Sequence, residues 1–157
     1  MSERILSVLV EDKLGVLARV SSTISRRGFN INSLSVGPTN IDGRSKMTIV
    51  TELDTVEQVK KQLNKLVNVI KIVELDPDMT IETEVLLIKV SINKDTQTLV
   101  IEKAQLSNAR SVDVGQDFAV FELTGSSKDL DKFEKLMKPF GIIEMVRGGR
   151  IALQTNQ

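Results

Sequence analysis

The sequence predicts an α+β fold made of two tandem ferredoxin-like domains, each with the element order βαββαβ. In the first half, strand-like and helix-like hydrophobic periods follow one another in that order. Residues 76–80 (DPDMT) have no period and contain a proline and two aspartates, which is typical of a linker. The same order of elements recurs after roughly 80 residues, although the halves share little residue identity. We therefore expect domains at 1–76 and 83–157, joined by a linker at 77–82.

The first domain begins with a strand followed by a helix. The segment RILSVLVED (4–12) is rich in Val, Ile and Leu, as buried strands are. From Val16 the apolar period becomes helical, and Gly28 supplies the left-handed residue that commonly ends a helix. The residues expected on the buried face of this helix are Val16, Leu17, Val20 and Ile24.

Two further strands, a helix and a final strand complete the first domain. The segments FNINSLSVGPT (29–39) and KMTIVTEL (46–53) read as strands joined by an Asp-Gly turn. The core positions expected in the first of these strands are Ile31, Leu34 and Val36. Thr55 and Gln58 match a Thr-x-x-Gln capping box at the start of the second helix. VNVIKIVEL (67–75) is the fourth strand.

The second domain shows the same order less clearly. EVLLIKVSI (84–92) predicts a strand, residues 95–106 a weak helix, and residues 109–125 a hairpin around Gly115. Either Ser126 or Ser127 is expected to cap a helix whose inner residues are Leu130, Phe133, Met137 and Phe140. IIEMVRGGRIAL (142–153) has the character of one closing strand.

Composition excludes several classes of function. The chain has 21 basic and 21 acidic residues, so its formal net charge is zero, which argues against a nucleic-acid binder. It has no cysteine and no histidine, which removes disulfides, thiolate nucleophiles, histidine acid–base catalysis and the usual zinc sites. No apolar run approaches the roughly 20 residues that span a bilayer, and no signal peptide is visible at the start. We therefore expect a cytoplasmic protein that contacts no membrane.

Gly15 is the first candidate for a binding site, because it stands between the first strand and the first helix without a capping side chain. Helix N-termini carry unpaired N–H groups and partial positive charge, so they bind anions such as carboxylates. Glycine lets a ligand approach the backbone closely. Leu14 and Val16 add apolar surface, and Asp12 can accept a hydrogen bond from an ammonium group. Together these features match a free amino acid with a branched aliphatic side chain, although many glycines in such turns bind nothing.

Asn30 is the second candidate, because it follows the glycine that ends the first helix and starts the second strand. The alternative explanation is an asparagine tolerated in a turn. The third candidate is the segment 37–39 (GPT), for which the alternative is a simple strand terminator.

Several segments carry a resemblance to a known family. They are ILSVLVEDKLGVLARVSSTISRRGFNINSLSVGPT (5–39), SKMTIVTE (45–52), QVKKQLNKLVNVIKIVEL (58–75) and KPFGIIEMVRGGRIAL (138–153). These segments resemble the regulatory small subunits of acetolactate synthase (acetohydroxyacid synthase). The match is almost continuous over the first half and poor over residues 93–118.

The resemblance implies that the first domain is an ACT domain and that the chain is a regulatory subunit without an active site. It implies a catalytic large subunit as partner, which would be activated by this chain and inhibited through it by valine, and in some members by leucine or isoleucine. Thiamine diphosphate, Mg²⁺ and FAD are expected only in that partner, and this chain is expected to hold no cofactor or metal. The ACT domains are expected to form a homodimer with the effector at their interface.

The resemblance also implies the effector contacts, which are drawn from the loop after the first strand and from the partner protomer's second strand. Those positions are Asp12, Leu14, Gly15, Val16, Leu17, Asn30 and Ile31. The family often has Asn where this chain has Asp12, and Pro or Ser where it has Leu14. An aspartate can attract the effector's ammonium group, repel its carboxylate, or be disfavoured by desolvation.

Three other functions compete with this interpretation. A free-standing ACT-domain sensor of amino acids would regulate a different partner, and the fold alone does not choose between them. A small ferredoxin-like hydrolase would need a basic phosphate-binding loop after the first strand, where this chain has the acidic EDKLG. An RNA-binding sheet would need exposed aromatic side chains for stacking, but aromatic residues make up only 3% of the sequence.

Overall fold

The computed structural model describes residues 2–155 and divides them into two units. The first unit contains residues up to Ile81 together with the segment from Arg150, and the second contains Glu82–Gly149. Each unit is built on four antiparallel strands and two helices in the order βαββαβ, which confirms the predicted fold class.

The first unit has the strand order β2-β3-β1-β4, so β1 lies in the middle and β2 forms an edge. Its elements are β1 (Glu3–Glu11), α1 (Val16–Arg26), β2 (Ile31–Pro38), β3 (Arg44–Glu52), α2 (Val56–Asn64) and β4 (Val69–Glu74). Alternate residues of β1 point to opposite faces. Leu6, Val8 and Val10 are therefore buried against α1 and α2, while Ser7 and Leu9 lie on the face without helices.

Three predicted core positions of the first unit are more exposed than expected. Leu17 is 49% exposed, because Val16 and Val20 occupy the centre of the buried face of α1 and Leu17 lies at its margin. Leu34 and Val36 are 36% and 45% exposed, although they pair with the buried Ile49 and Met47. They lie on the edge strand, where the two helices do not cover them fully.

The predicted capping box of α2 is wrong. The helix begins at Val56, but the Thr55 side chain makes no hydrogen bond to the helix N-terminus. Its hydroxyl instead bonds to the Thr51 hydroxyl at 2.7 Å and to the Glu52 carbonyl at 3.0 Å. The side chain therefore ties the helix start back to the end of β3.

The second unit has the strand order β6-β7-β5-β8. Its elements are β5 (Thr80–Ser91), α3 (Gln97–Leu106), β6 (Arg110–Val114), β7 (Phe118–Gly125), α4 (Ser127–Met137) and β8 (Ile142–Arg147). The weak helix and the hairpin are confirmed. Phe121 and Phe133 meet edge to face with ring centroids 6.2 Å apart in its core. The buried carboxylate of Glu84 is paired with Arg147 at 3.2 Å.

The single closing strand predicted for residues 142–153 is wrong, because glycines 148 and 149 divide it into β8 and a separate β9 (Ile151–Gln154). The segment from Arg150 groups with the first unit, which differs from the predicted domain 83–157. The expected linker also contains structure, since Pro77–Met79 forms a 3₁₀ turn and β5 already begins at Thr80.

Arg150 fixes this last segment on the helix-free face of the first sheet. Its guanidinium donates to both carboxylate oxygens of Glu3, at 2.6 and 3.2 Å. Its backbone N–H donates to the Ser33 hydroxyl at 3.0 Å, and the Ser35 hydroxyl donates to its carbonyl at 2.6 Å. The hydrogen bond from Arg150 lowers the pKa of the Glu3 carboxyl.

The capping box of α4 yields the first prediction. The Ser126 hydroxyl accepts from the Asp129 N–H, and the Asp129 carboxylate accepts from the Ser126 N–H, both at 3.2 Å. We expect Ser126→Ala to lower the free energy of unfolding by about 1 kcal/mol, measured by urea denaturation. Ser111→Ala, on the exposed strand β6, is the matched control and should change it by less than about 0.5 kcal/mol. Equal effects of the two substitutions would contradict the cap.

The ion pair between Glu3 and Arg150 predicts a pH dependence. Because the folded-state pKa of Glu3 is depressed, the pair stabilises the fold above the unfolded pKa of roughly 4.3, and this contribution disappears as the pH falls through the folded pKa. We expect Glu3→Gln to lower the free energy of unfolding at pH 7 by up to about 1 kcal/mol. Between pH 5 and 3, the free energy of unfolding of this variant should fall less steeply than that of the native protein. The control is Glu102→Gln, which removes an exposed carboxylate of α3 that has no ion pair among the described residues. It should leave the fall in the free energy of unfolding between pH 5 and 3 unchanged.

Candidate functional site

Backbone hydrogen bonds hold the loop between β1 and α1 in place. The Asp12 N–H donates to the Gly43 carbonyl at 2.8 Å, which anchors the loop to the turn between β2 and β3. The Lys13 carbonyl accepts from the Val16 N–H at 3.2 Å. Gly15 then adopts a left-handed conformation with φ of 83°, which favours glycine over any residue with a Cβ. This conformation turns the chain from the strand into the helix.

The N-terminus of α1 is open. Gly15 stands at the N-cap position, and no side chain caps the helix. The first regular helical hydrogen bond runs from the Arg19 N–H to the Gly15 carbonyl at 3.0 Å. Within the described part of the chain, the N–H groups of Leu17 and Ala18 have no backbone acceptor. A Cβ placed on Gly15 would meet nothing within 4 Å, so an anion can reach these donors.

The side chains around this opening are apolar and acidic. Leu14 is fully exposed and Leu17 half exposed, whereas Val16 is buried in the core. The Asp12 carboxylate is exposed and forms no ion pair within residues 2–155. Lys13 pairs with Glu11 at 2.7 Å and lowers the pKa of that carboxyl through this hydrogen bond. The cation nearest in sequence is thus already paired with a carboxylate of the protein.

Asn30 and Ile31 lie at the other end of the sheet in the same protomer. Ile31 is opposite Thr51, and the Thr51 hydroxyl donates to the Asn30 carbonyl at 3.2 Å. The loop after β1 instead adjoins Arg44, the first residue of β3. Positions 44 and 51 are about 23 Å apart at the rise per residue of a strand. One protomer therefore brings Asp12, Leu14, Gly15, Val16 and Leu17 together but not Asn30 and Ile31.

Arg19 and Asn68 border the same opening and were not among the predicted site residues. The Arg19 guanidinium donates to the Asn68 side-chain oxygen at 2.6 Å, and the Asn68 carbonyl accepts from the Glu11 N–H at 3.0 Å. Arg19 lies one helical turn after Gly15, so its spacing could have indicated a cation near the helix start. Nothing in the local sequence places Asn68 there, because that contact depends on the pairing of β1 with β4.

Comparisons with known proteins identify the family of this chain. The family model described as an AHAS small subunit-like ACT domain matches residues 6–71, and the model for the small subunit of acetolactate synthase matches residues 83–156. The chain is 47% identical over 150 residues to the acetolactate synthase small subunit of Mycobacterium bovis, covering 94% of this chain and 89% of that one. The chain belongs to the acetolactate synthase small subunit family.

Other members of the small subunit family extend the match. A probable acetolactate synthase small subunit from Archaeoglobus fulgidus is 45% identical over 150 residues and covers 94% of each chain. The crystal structure of the acetolactate synthase small subunit from Thermotoga maritima is 32% identical, with a TM-score of 0.91 over 100% of this chain and 99% of that one. All seven predicted effector residues fall inside the matched ACT domain.

Membership in the small subunit family implies a catalytic large subunit as partner. Among the described residues, no helix is both long and apolar enough to cross a membrane. The same residues contain no cluster of three or more His, Cys, Asp or Glu side chains that could hold a metal ion.

Proposed function

We propose that this chain is a regulatory subunit that activates the thiamine-diphosphate-dependent catalytic subunit of acetolactate synthase and makes it sensitive to feedback inhibition by valine. The observation that carries this proposal is the open N-terminus of α1 at Gly15, in an ACT domain of this family. The effector would bind between two ACT domains, and the catalytic subunit would respond to the change that binding causes.

The helix N-terminus would recognise the carboxylate of the effector. The Leu17 and Ala18 N–H groups have no backbone acceptor among the described residues, and the helix dipole adds partial positive charge at the same place. Satisfying such donors with an anion replaces a capping side chain, whose loss typically costs about 0.5–2 kcal/mol. The bound carboxylate would therefore also complete α1.

The other groups would recognise the rest of the amino acid. The Asp12 carboxylate is free to accept from the effector's ammonium group, and Leu14 and Leu17 offer an apolar wall to its side chain. Such a wall gives only modest selectivity between valine and leucine or isoleucine, because one methylene is worth about 1–3 kcal/mol in an apolar pocket. All three amino acids are therefore expected to bind, with valine as the main effector.

The position of Asn30 supports a site shared between two copies. β2 is an edge strand that carries the partly exposed Leu34 and Val36, and such edges are available for pairing. Antiparallel pairing of β2 with β2 of a second copy puts Asn30 of one beside the end of β2 in the other. That end adjoins Ser45, which pairs with Val10 next to the effector loop. A two-fold dimer thus shortens the separation found within one protomer.

Regulation then follows from the shared site. An effector that contacts both protomers changes the free energy of their arrangement, and any catalytic subunit attached to both responds to it. The coupling required is small, typically about 1–3 kcal/mol between effector and catalytic sites.

The charge at position 15 provides the direct test. We expect Gly15→Asp to weaken valine binding to the intact protein more than tenfold in calorimetric titration, because its carboxylate would occupy the anion position. The same substitution should abolish valine inhibition of the complex reconstituted with its catalytic subunit while activation persists. Gly15→Asn is the matched control, since asparagine has the same size and tolerates the left-handed conformation. Valine affinity unchanged in Gly15→Asp would exclude this site.

Mixed dimers test whether the site is shared. Gly15→Asp and Asn30→Ala should each remove valine binding when present in both protomers. After the two variants are unfolded and refolded together, half of the dimers should be mixed, and each mixed dimer has one native site. We therefore expect about one quarter of the sites to bind valine again. If Gly15 and Asn30 served the same site within one protomer, mixing would restore nothing.

A further inference from the structure

We propose that the helix-free face of the first sheet holds a second binding site, which takes a small organic anion with an apolar body. A cavity of about 500 Å³ lies there, between the sheet and the C-terminal strand β9. All of its lining residues belong to the first unit. Its volume is within the range of about 300–1,000 Å³ that small-molecule sites occupy.

Two lysines determine the charge of this cavity. Lys46 of β3 and Lys71 of β4 are both directly opposite Leu9 of β1, one on each side. The three side chains therefore share one face, and the two lysine backbones are about 10 Å apart across three strands. Lysine stems are long enough for both ammonium groups to converge on a single anionic group above Leu9.

Within residues 2–155, no carboxylate forms an ion pair with these lysines. Glu11, the next residue of β1 on this face, is paired with Lys13 at 2.7 Å. Glu3, at the other end of β1, is paired with Arg150. Two like charges on one face repel each other, so an anion that binds between them removes an unfavourable interaction.

The remaining walls are mainly apolar. The apolar lining residues are Leu9, Ile41, Val73, Leu75, Ala152 and Leu153. Leu153 is 65% exposed and Ile41 48%, so both keep apolar surface in water at the cavity. Inorganic phosphate would pair with the lysines but leave this apolar surface exposed to water. A carboxylate with an aliphatic body would pair with the lysines and also bury the apolar surface. We therefore propose aliphatic carboxylates as the ligand class.

The cavity is preformed by hydrogen bonds on both sides. The Thr39 hydroxyl accepts from the Ile41 N–H at 3.2 Å and donates to the Arg44 carbonyl at 3.0 Å, which holds Ile41 at the edge of the cavity. On the other side, the Gln154 side chain accepts from the Asp76 N–H at 3.3 Å. Arg150 fixes the start of the same segment on Glu3. Because these walls are already ordered in the free protein, binding should lose little conformational entropy.

This site is separate from the proposed effector site. Leu9 points to the helix-free face, whereas Val8 and Val10 point to the helices. The effector would bind at the N-terminus of α1, which belongs to the helical layer. Ligands at the two sites therefore contact different side chains.

A matched set of three ligands tests the proposal on the full-length protein. Hexanoate, hexan-1-ol and hexylammonium have the same chain and differ in charge. We expect hexanoate to shift the amide resonances of Leu9, Lys46 and Leu153 saturably in two-dimensional NMR at constant ionic strength. Hexan-1-ol should bind at least tenfold more weakly, and hexylammonium should not bind. The titration is repeated in Gly15→Asp, where the shifts at this face should persist.

Lysine variants complete the test. We expect the double variant Lys46→Met and Lys71→Met to bind hexanoate at least tenfold more weakly, since methionine keeps the stem and removes the charge. The control is Lys61→Met with Lys65→Met, two exposed lysines at the end of α2, which should change affinity less than twofold. Leu153→Glu should also weaken binding, because it brings a carboxylate to the lysines.

Four results would overturn the proposal. They are the absence of saturable shifts with hexanoate, equal affinity for hexan-1-ol, native affinity in the Lys46 and Lys71 double variant, and shifts confined to the β1–α1 loop that disappear in Gly15→Asp. The last of these would assign the anion to the effector site alone.

Discussion

The register of β1 in the middle of the first sheet is the constraint on which the rest of this unit depends. Nine residues of β1 pair with β3 in unbroken antiparallel register, from Glu3 opposite Glu52 to Glu11 opposite Arg44. A slip of one residue would turn Leu6, Val8 and Val10 to the helix-free face and expose the core. The same register places the end of β1 against the β2–β3 turn, and so positions the loop that contains Gly15.

The uncapped N-terminus of α1 costs little free energy compared with the stabilisation from the apolar side chains buried around it. A missing N-cap costs about 0.5–2 kcal/mol, and each large apolar side chain buried in the core contributes about 1.5–3 kcal/mol. Val16 and Val20, which are buried on α1, hold the helix on the sheet while its N-terminus stays open. Rigid packing on one side of the helix and unsatisfied donors at its end are what a ligand site on a stable scaffold requires.

The two faces of the first sheet therefore offer two different kinds of recognition. At the helical layer, backbone N–H groups and the helix dipole supply positive potential without a charged side chain. On the helix-free face, Lys46 and Lys71 supply formal charge above an apolar floor. The C-terminal strand forms one wall of the second cavity, so the end of the chain contributes to the domain that begins it. Under the two proposals made above, a single small domain has two ways to bind an organic anion.

The sequence alone determined what depends on near neighbours along the chain. It predicted the order of strands and helices, the repeat of that order, a cap at Ser126 or Ser127 and the glycine at the start of α1, because period, capping and turn chemistry act over a few residues. Only the tertiary structure decided the exposure of Leu34 and Val36, the role of Thr55 and the distance between Gly15 and Asn30, since each follows from strand pairing. The tertiary structure also decided that the closing strand divides in two and that Arg150 contacts Glu3 and Ser33. Contacts between residues more than a hundred positions apart leave no local pattern in the sequence.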